Sequence, residues 1–246
     1  MFSIDGRNRA REHVLELASA DSRVVAAAVI GSLAHGPGDR WSDLDLTFAV
    51  AEGVPVVDVL TDWTRDLVAK LDAVHLFDLP SRATIYRVFL LPGCLQVDLS
   101  FTPAAAFGAR GPTFSLLFGS AVETAGSPPA SVDELFGLAV HHAVRARVCI
   151  ERGRWWQAEY WISGLRDDAL ALACLRRGLS EREGRGFDEL PADVLDGCAD
   201  ALVLSLEREE LLRALASAIA ALLRESAEAG ILSGKVEPQL RELASR

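Results

Sequence analysis

The chain has 246 residues, half of them apolar, a formal net charge of −10 at pH 7 and four cysteines. That length and apolar content can build one large domain or two small ones with a proper core. The acidic balance, shared between both halves, offers no basic footprint for tight nucleic-acid binding and suits a cationic small molecule better.

The first stretch, "MFSIDGRNRAREHVLELASADSR", is charged and reads as an amphipathic helix, not as a signal peptide. "SRVVAAAVIGS" is a short β-rich apolar run ending in Gly31-Ser32, and "SDLDLTFAV" alternates polar and apolar residues as a half-buried strand does. "VVDVLTDWTRDLVAKLD" returns to helical period. "AVHLFDL", "IYRVFLL" and "LQVDLSF" then read as three further strands, the last two joined by Pro92-Gly93.

Between Phe101 and Ala130 the chain becomes rich in Gly, Pro, Ala and Ser, which predicts a linker and a domain boundary, with residues 1–125 and 126–246 as the two domains. Ser131 followed by Glu134 is a capping-box pattern that opens a helix running to Gly153. "RWWQAEYWISGLRDDALALACLRRG" is a second long helix ended by Gly178, and further helical stretches follow at 191–206 and 207–230. Short connections predict an antiparallel all-α bundle. No apolar run approaches the roughly 20 residues that span a bilayer. Cys94, Cys149, Cys174 and Cys198 form no CxxC, so neither a disulfide framework nor a zinc site is expected, and a cytoplasmic location fits.

Asp43 and Asp45 lie two apart on a predicted strand, so both carboxylates project from one face. Held together they repel, unless a cation lies between them. A hard divalent ion such as Mg²⁺ takes oxygen ligands and shares substrate phosphates readily. The Gly31-Ser32 turn could bring backbone N–H groups and a hydroxyl to a phosphate. A solvated strand face beside a Gly-rich hairpin is the plain alternative for an isolated Asp-x-Asp. A third acid, Asp98 in "LQVDLSF", is again flanked by apolar residues on a predicted strand. No GK[ST] follows Gly31 and no GxGxxG opens a helix, so the rival phosphate motifs do not fit.

The set "IGS", about ten residues, "DLDL" and then Asp98 resembles the nucleotidyltransferase superfamily of DNA polymerase β over about residues 24–101. The whole chain is similar to the antibiotic nucleotidyltransferases that modify aminoglycosides and lincosamides. That resemblance implies an α+β protein: a polymerase β-like catalytic domain, with a mixed sheet and flanking helices, joined to a C-terminal helical bundle. It also implies that Asp43, Asp45 and Asp98 are catalytic and hold Mg²⁺. Gly31, Ser32, His35 and Ser42 would contact the triphosphate of ATP or another nucleoside triphosphate. His35 stands where the kanamycin-modifying members have arginine. The implied reaction moves a nucleoside monophosphate, AMP from ATP, to a hydroxyl of a small and cationic acceptor. Asp98 either completes the metal's ligands or takes the acceptor's proton. In the second helix, "RWWQAEYWISGLRDD" offers Trp155, Trp156, Tyr160 and Trp161 as aromatic walls and Glu159 and Asp167 as carboxylates, and Glu159 is the alternative base. Inter-domain core is the plain reading of those aromatics. Other readings stay open: an antitoxin-like nucleotidyltransferase acting on a protein or tRNA, an enzyme extending RNA, and a non-catalytic nucleotide-binding module. A sheet edge or the Trp-rich helix leaves a homodimer open.

Overall fold

The computed structural model describes the chain except for residues 37, 110, 112, 124–129, 227–229 and 246, and the side chain of residue 231. Its contacts divide the chain into two compact units, Met1–Pro128 and Pro129–Arg246. The boundary expected at 125/126 lies outside the described residues.

The first unit opens with α1 (Ile4–Ala20), capped by the Ser3 hydroxyl, which accepts from the Gly6 N–H. Its inward stripe is Arg7, Ala10, Val14 and Ala18, at helical spacing. Strands β1 (Val24–Ile30) and β2 (Leu44–Val50) follow, then α2 (Val56–Leu71). The remaining strands are β3 (Val74–Ser81), β4 (Thr84–Leu91), β5 (Leu95–Pro103) and β6 (Phe114–Phe118). They form one sheet in the order β3-β4-β5-β2-β1-β6. The β2–β5 pairing is parallel and every other pairing is antiparallel, so the sheet is mixed.

Strand alternation decides what each face carries. In β2, Leu44, Leu46, Phe48 and Val50 join Val97, Leu99 and Phe101 of β5 in a buried core with Val59, Leu60, Trp63 and Leu67 of α2. The rings of Phe48, Trp63 and Phe101 pack with centroids 4.9–5.2 Å apart. Burying each such Leu or Phe stabilises the unit by about 1.5–3 kcal/mol. The opposite face carries Asp45, Thr47 and Ala49 of β2 and Asp98, Ser100 and Thr102 of β5. There Thr84 and Thr102 share a 2.7 Å hydrogen bond.

The second unit is helical throughout its long elements: α3 (Val132–Glu151), α4 (Trp155–Arg176), α5 (Ala192–Ala199), α6 (Arg208–Glu225) and α7 (Gly230–Ala244). Ser131 caps α3, its hydroxyl accepting from the Glu134 N–H. Ala139, Ala143 and Ala146 of α3 and Ala158, Ile162, Leu165 and Ala169 of α4 belong to one buried core, whose small side chains let helix backbones approach closely. Glu225 is buried at the end of α6 and accepts from Arg176 and Arg177 at 2.7 and 3.1 Å. Among the described residues no helix is long and apolar enough to cross a membrane.

Three expectations need correction. The linker expected over 101–130 contains β6, a five-residue strand hidden among Gly and Pro that pairs with the outer edge of β1. The helix expected over 191–206 stops at Ala199. Beyond it, Arg213 of α6 donates to the carbonyls of Asp200 and Leu202, and Glu210 accepts from the Leu204 N–H, so side chains satisfy a backbone that helix would otherwise pair. The helix expected over 207–230 is α6, which ends at Glu225, and α7, which opens at Gly230 with Pro238 in its interior, had no counterpart in the sequence reading.

Candidate active site

The parallel register of β2 and β5 sets Asp45 directly opposite Asp98. Paired positions on adjacent strands lie about 4.8 Å apart and share a face. Asp43 precedes β2 by one residue, just outside the strand that the sequence predicts for it. All three acids are half-buried. Burial pushes the Asp98 carboxyl above its ordinary value. The Gln96 amide, donating at 3.1 Å to each carboxylate oxygen, opposes that shift, and the Asp43 charge adds to it. Asp43 is therefore close enough to be felt by Asp98, and the cluster is anion-rich.

Gly31 follows β1 and begins a single 3₁₀ turn, Gly31–Leu33. Its φ is +70°, and a Cβ there would stand 2.3 Å from Asp45 Oδ2. The turn's backbone thus closes directly on a carboxylate, in a conformation and a space that only glycine fills. Ser32 and His35 are exposed on the loop that continues from this turn.

Ser42 differs from Ser32 and His35. It is buried, and its hydroxyl accepts from the Asp39 N–H at 3.0 Å and donates to Asp39 Oδ1 at 3.2 Å. The same Asp39 oxygen accepts from the Trp41 N–H at 2.7 Å, and that bond leads in holding the Asp39 carboxyl below its ordinary value. Ser42 therefore closes the loop on itself just before the acidic strand. From behind, Arg7 of α1, only 3% exposed, donates through Nη1 to the carbonyls of Asp39 and Ser42 at 2.7 and 2.9 Å.

Arg7, Asp39 and Gln96 escape a motif-based reading because they act through backbone geometry or through another residue. Two left a trace in the sequence. Arg7 is a charge on an otherwise apolar helix stripe, and Gln96 lies two residues before Asp98, hence on the same strand face. The donor set Asp43, Asp45 and Asp98 is oxygen-only, which suits a hard divalent cation. Among the described residues no group of three or more His, Cys, Asp or Glu is gathered to hold a metal ion. A Mg²⁺ ion here would need oxygens from elsewhere, and substrate phosphates commonly supply them.

In the helical unit, Trp155 and Trp161 pack against that unit's own core, while Trp156 and Tyr160 are 77% and 65% exposed. Glu159 accepts from the Ser163 hydroxyl at 2.7 Å. His141 is exposed, whereas His142 is half-buried and bonds through Nδ1 to Asp168 Oδ2 at 2.7 Å. Burial raises the Asp168 carboxyl to about 6, against the pull of His142. Arg176 and Arg177 are engaged by Glu225.

No protein-family model matches the chain, and a search of curated proteins finds no match. Among solved structures, an aminoglycoside 6-adenyltransferase from Bacillus subtilis is similar at 12% sequence identity and a TM-score of 0.38, with 96% of this chain and 97% of that one covered.

Proposed function

We propose that the chain is a metal-dependent nucleotidyltransferase that moves a nucleoside monophosphate, AMP from ATP, to a hydroxyl of a small cationic molecule of the aminoglycoside or lincosamide kind. The observation that carries this reading is the pairing of Asp45 with Asp98 across the parallel strands, with the Gly31 turn closed on Asp45. A glycine turn closed on one of two carboxylates that are paired across neighbouring strands suits a triphosphate with its cation. The sequence pattern "IGS…DLDL" with Asp98 supports the same assignment.

In this reading Asp43, Asp45 and Asp98 would hold Mg²⁺, which when bound neutralises the triphosphate and stabilises the attacking and leaving oxygens. Ser32 and His35 would face the phosphates, and Ser42, with Asp39 and Arg7, would keep their loop in shape. The acceptor oxygen attacks the α-phosphorus in line, the bond from that phosphorus to the β-phosphate oxygen breaks, and pyrophosphate leaves. Asp98 takes the hydroxyl proton, helped by a carboxyl whose basicity burial has raised. Glu159 is the alternative base. Positioning and charge neutralisation do most of the remaining work. The net charge of −10 and the exposed Trp156 and Tyr160 support a cationic acceptor with sugar or ring surfaces. Four free cysteines support a reducing, cytoplasmic setting.

Calorimetric titration with ATP tests the nucleotide half: binding is expected with Mg²⁺ and not with EDTA, and equal affinity in both refutes the metal assignment. A panel of aminoglycosides and lincosamides assayed for pyrophosphate release tests the acceptor half. Labelling only of a co-purified protein or RNA from α-labelled ATP would replace the small-molecule acceptor with a macromolecular one.

A further inference from the structure

A cavity of approximately 370 Å³ lies between α1 and the loop that follows β1. Its walls include Arg7, Asn8, Arg11, Glu12 and Leu15 of α1 and Leu33 of the loop. Small-molecule sites run from about 300 to 1,000 Å³, so the space holds a compact ligand. The Arg11 Nε is shut off from solvent and has no hydrogen-bond partner among the described residues. A guanidinium stays charged at all physiological pH values. Arg11 lines the cavity and enters no ion pair among the described residues, so an anion held there can take up the charge of its guanidinium.

The other walls narrow the ligand. Arg7 is already committed to the Asp39 and Ser42 carbonyls, which leaves Arg11 as the principal anchor. Asn8 adds a polar amide, while Leu15 and Leu33 supply apolar surface. Glu12 is exposed on the same lining, and its charge opposes a polyanion. A monoanion with a short apolar body satisfies all of these groups. We propose that this cavity binds a small organic carboxylate, its anionic oxygens held by Arg11.

The site is separate from the acidic cluster. The core residues of α1 pack on the sheet face that carries Leu44 and Leu46, whereas Asp45 and Asp98 belong to the opposite face. The proposal therefore stands whether or not the chain transfers nucleotides.

Benzoate is the probe and benzamide its neutral isostere, titrated into the full chain and followed by NMR. Benzoate is expected to saturate in the millimolar range or below, with benzamide about tenfold weaker or more. Arg11→Gln should weaken benzoate by about tenfold, and Arg11→Lys, which keeps the charge, by less. Benzoate should remain bound in the presence of a saturating magnesium–triphosphate analogue. Equal binding of benzoate and benzamide, or no saturation by about 20 mM benzoate, overturns the proposal without recourse to any variant. So does a folded Arg11→Gln that binds benzoate as the natural chain does, or complete displacement of benzoate by the analogue.

Discussion

Replacing Gly31 with alanine tests whether the turn after β1 is built to touch Asp45. Two penalties are expected, and Gly53 allows them to be separated. Gly31 and Gly53 both have left-handed backbone, with φ of +70° and +78°. An alanine at either position costs about 1–2 kcal/mol through backbone strain alone. At Gly53 the new Cβ meets nothing within 4 Å, so strain is the whole effect. At Gly31 it would stand 2.3 Å from Asp45 Oδ2. Ordinary contact requires about 3.5 Å, so the carboxylate or the turn must yield by about 1 Å. A misplacement of that size at a positioned reacting group costs about 10²-fold in rate. Thermal denaturation should therefore show Gly53→Ala and Gly31→Ala destabilised, the second by more. Triphosphate titration and pyrophosphate release should show Gly53→Ala close to the natural chain and Gly31→Ala weak in both. A Gly31→Ala protein that binds triphosphate and turns over as Gly53→Ala does would refute the argument that this turn positions Asp45.

Asp43→Asn and Asp45→Asn should each remove metal-dependent triphosphate binding and turnover together, as read by calorimetry and pyrophosphate release. Asp98→Asn should leave triphosphate binding largely intact while lowering turnover by about 10²–10⁴; a fully active Asp98→Asn beside an inactive Glu159→Gln would move the base to the helical unit. Arg7→Met removes the donor that serves the Asp39 and Ser42 carbonyls and should cost about 1.5–3 kcal/mol in chemical denaturation. Asp21, 12% exposed, accepts from Arg23 and from the Trp63 indole, and the Arg23 bond chiefly holds its carboxyl down at about 2. A carboxyl depressed in the fold stabilises it above the ordinary value of 3.8 and loses that contribution as pH falls towards 2. Asp21→Asn should therefore cost about 2 kcal/mol at pH 7 and flatten the acid limb of a stability–pH profile; an unchanged limb would show that other carboxylates set it.

The local patterns were legible because periodicity is a property of the chain itself. The alternation in "LDLTFAV" and "LQVDLSFTP" assigns Asp45 and Asp98 to the polar side of their strands before any partner is known. The Ser131–Glu134 signature likewise marks the start of α3, since a cap involves only neighbours in sequence. Weak local signals failed: β6 is short and bordered by Gly and Pro, and Pro238 disguises α7. The bonds between the Ser42 hydroxyl and Asp39, three residues away, were not legible, because a motif lists residue types and not the partners each one finds.

By itself, then, the sequence marked most of the strands and the long helices, and the strand face that holds Asp45 and Asp98. Only the tertiary structure decided that β2 runs parallel to β5 in the register that sets Asp45 against Asp98. It alone brought Gly31 onto the Asp45 carboxylate and carried Arg7 behind the loop. The physical reason is range. Side-chain direction follows from backbone geometry within a few residues. Strand partners and buried hydrogen bonds join segments distant in the chain, and they are selected by which arrangement buries both apolar faces while satisfying every backbone group.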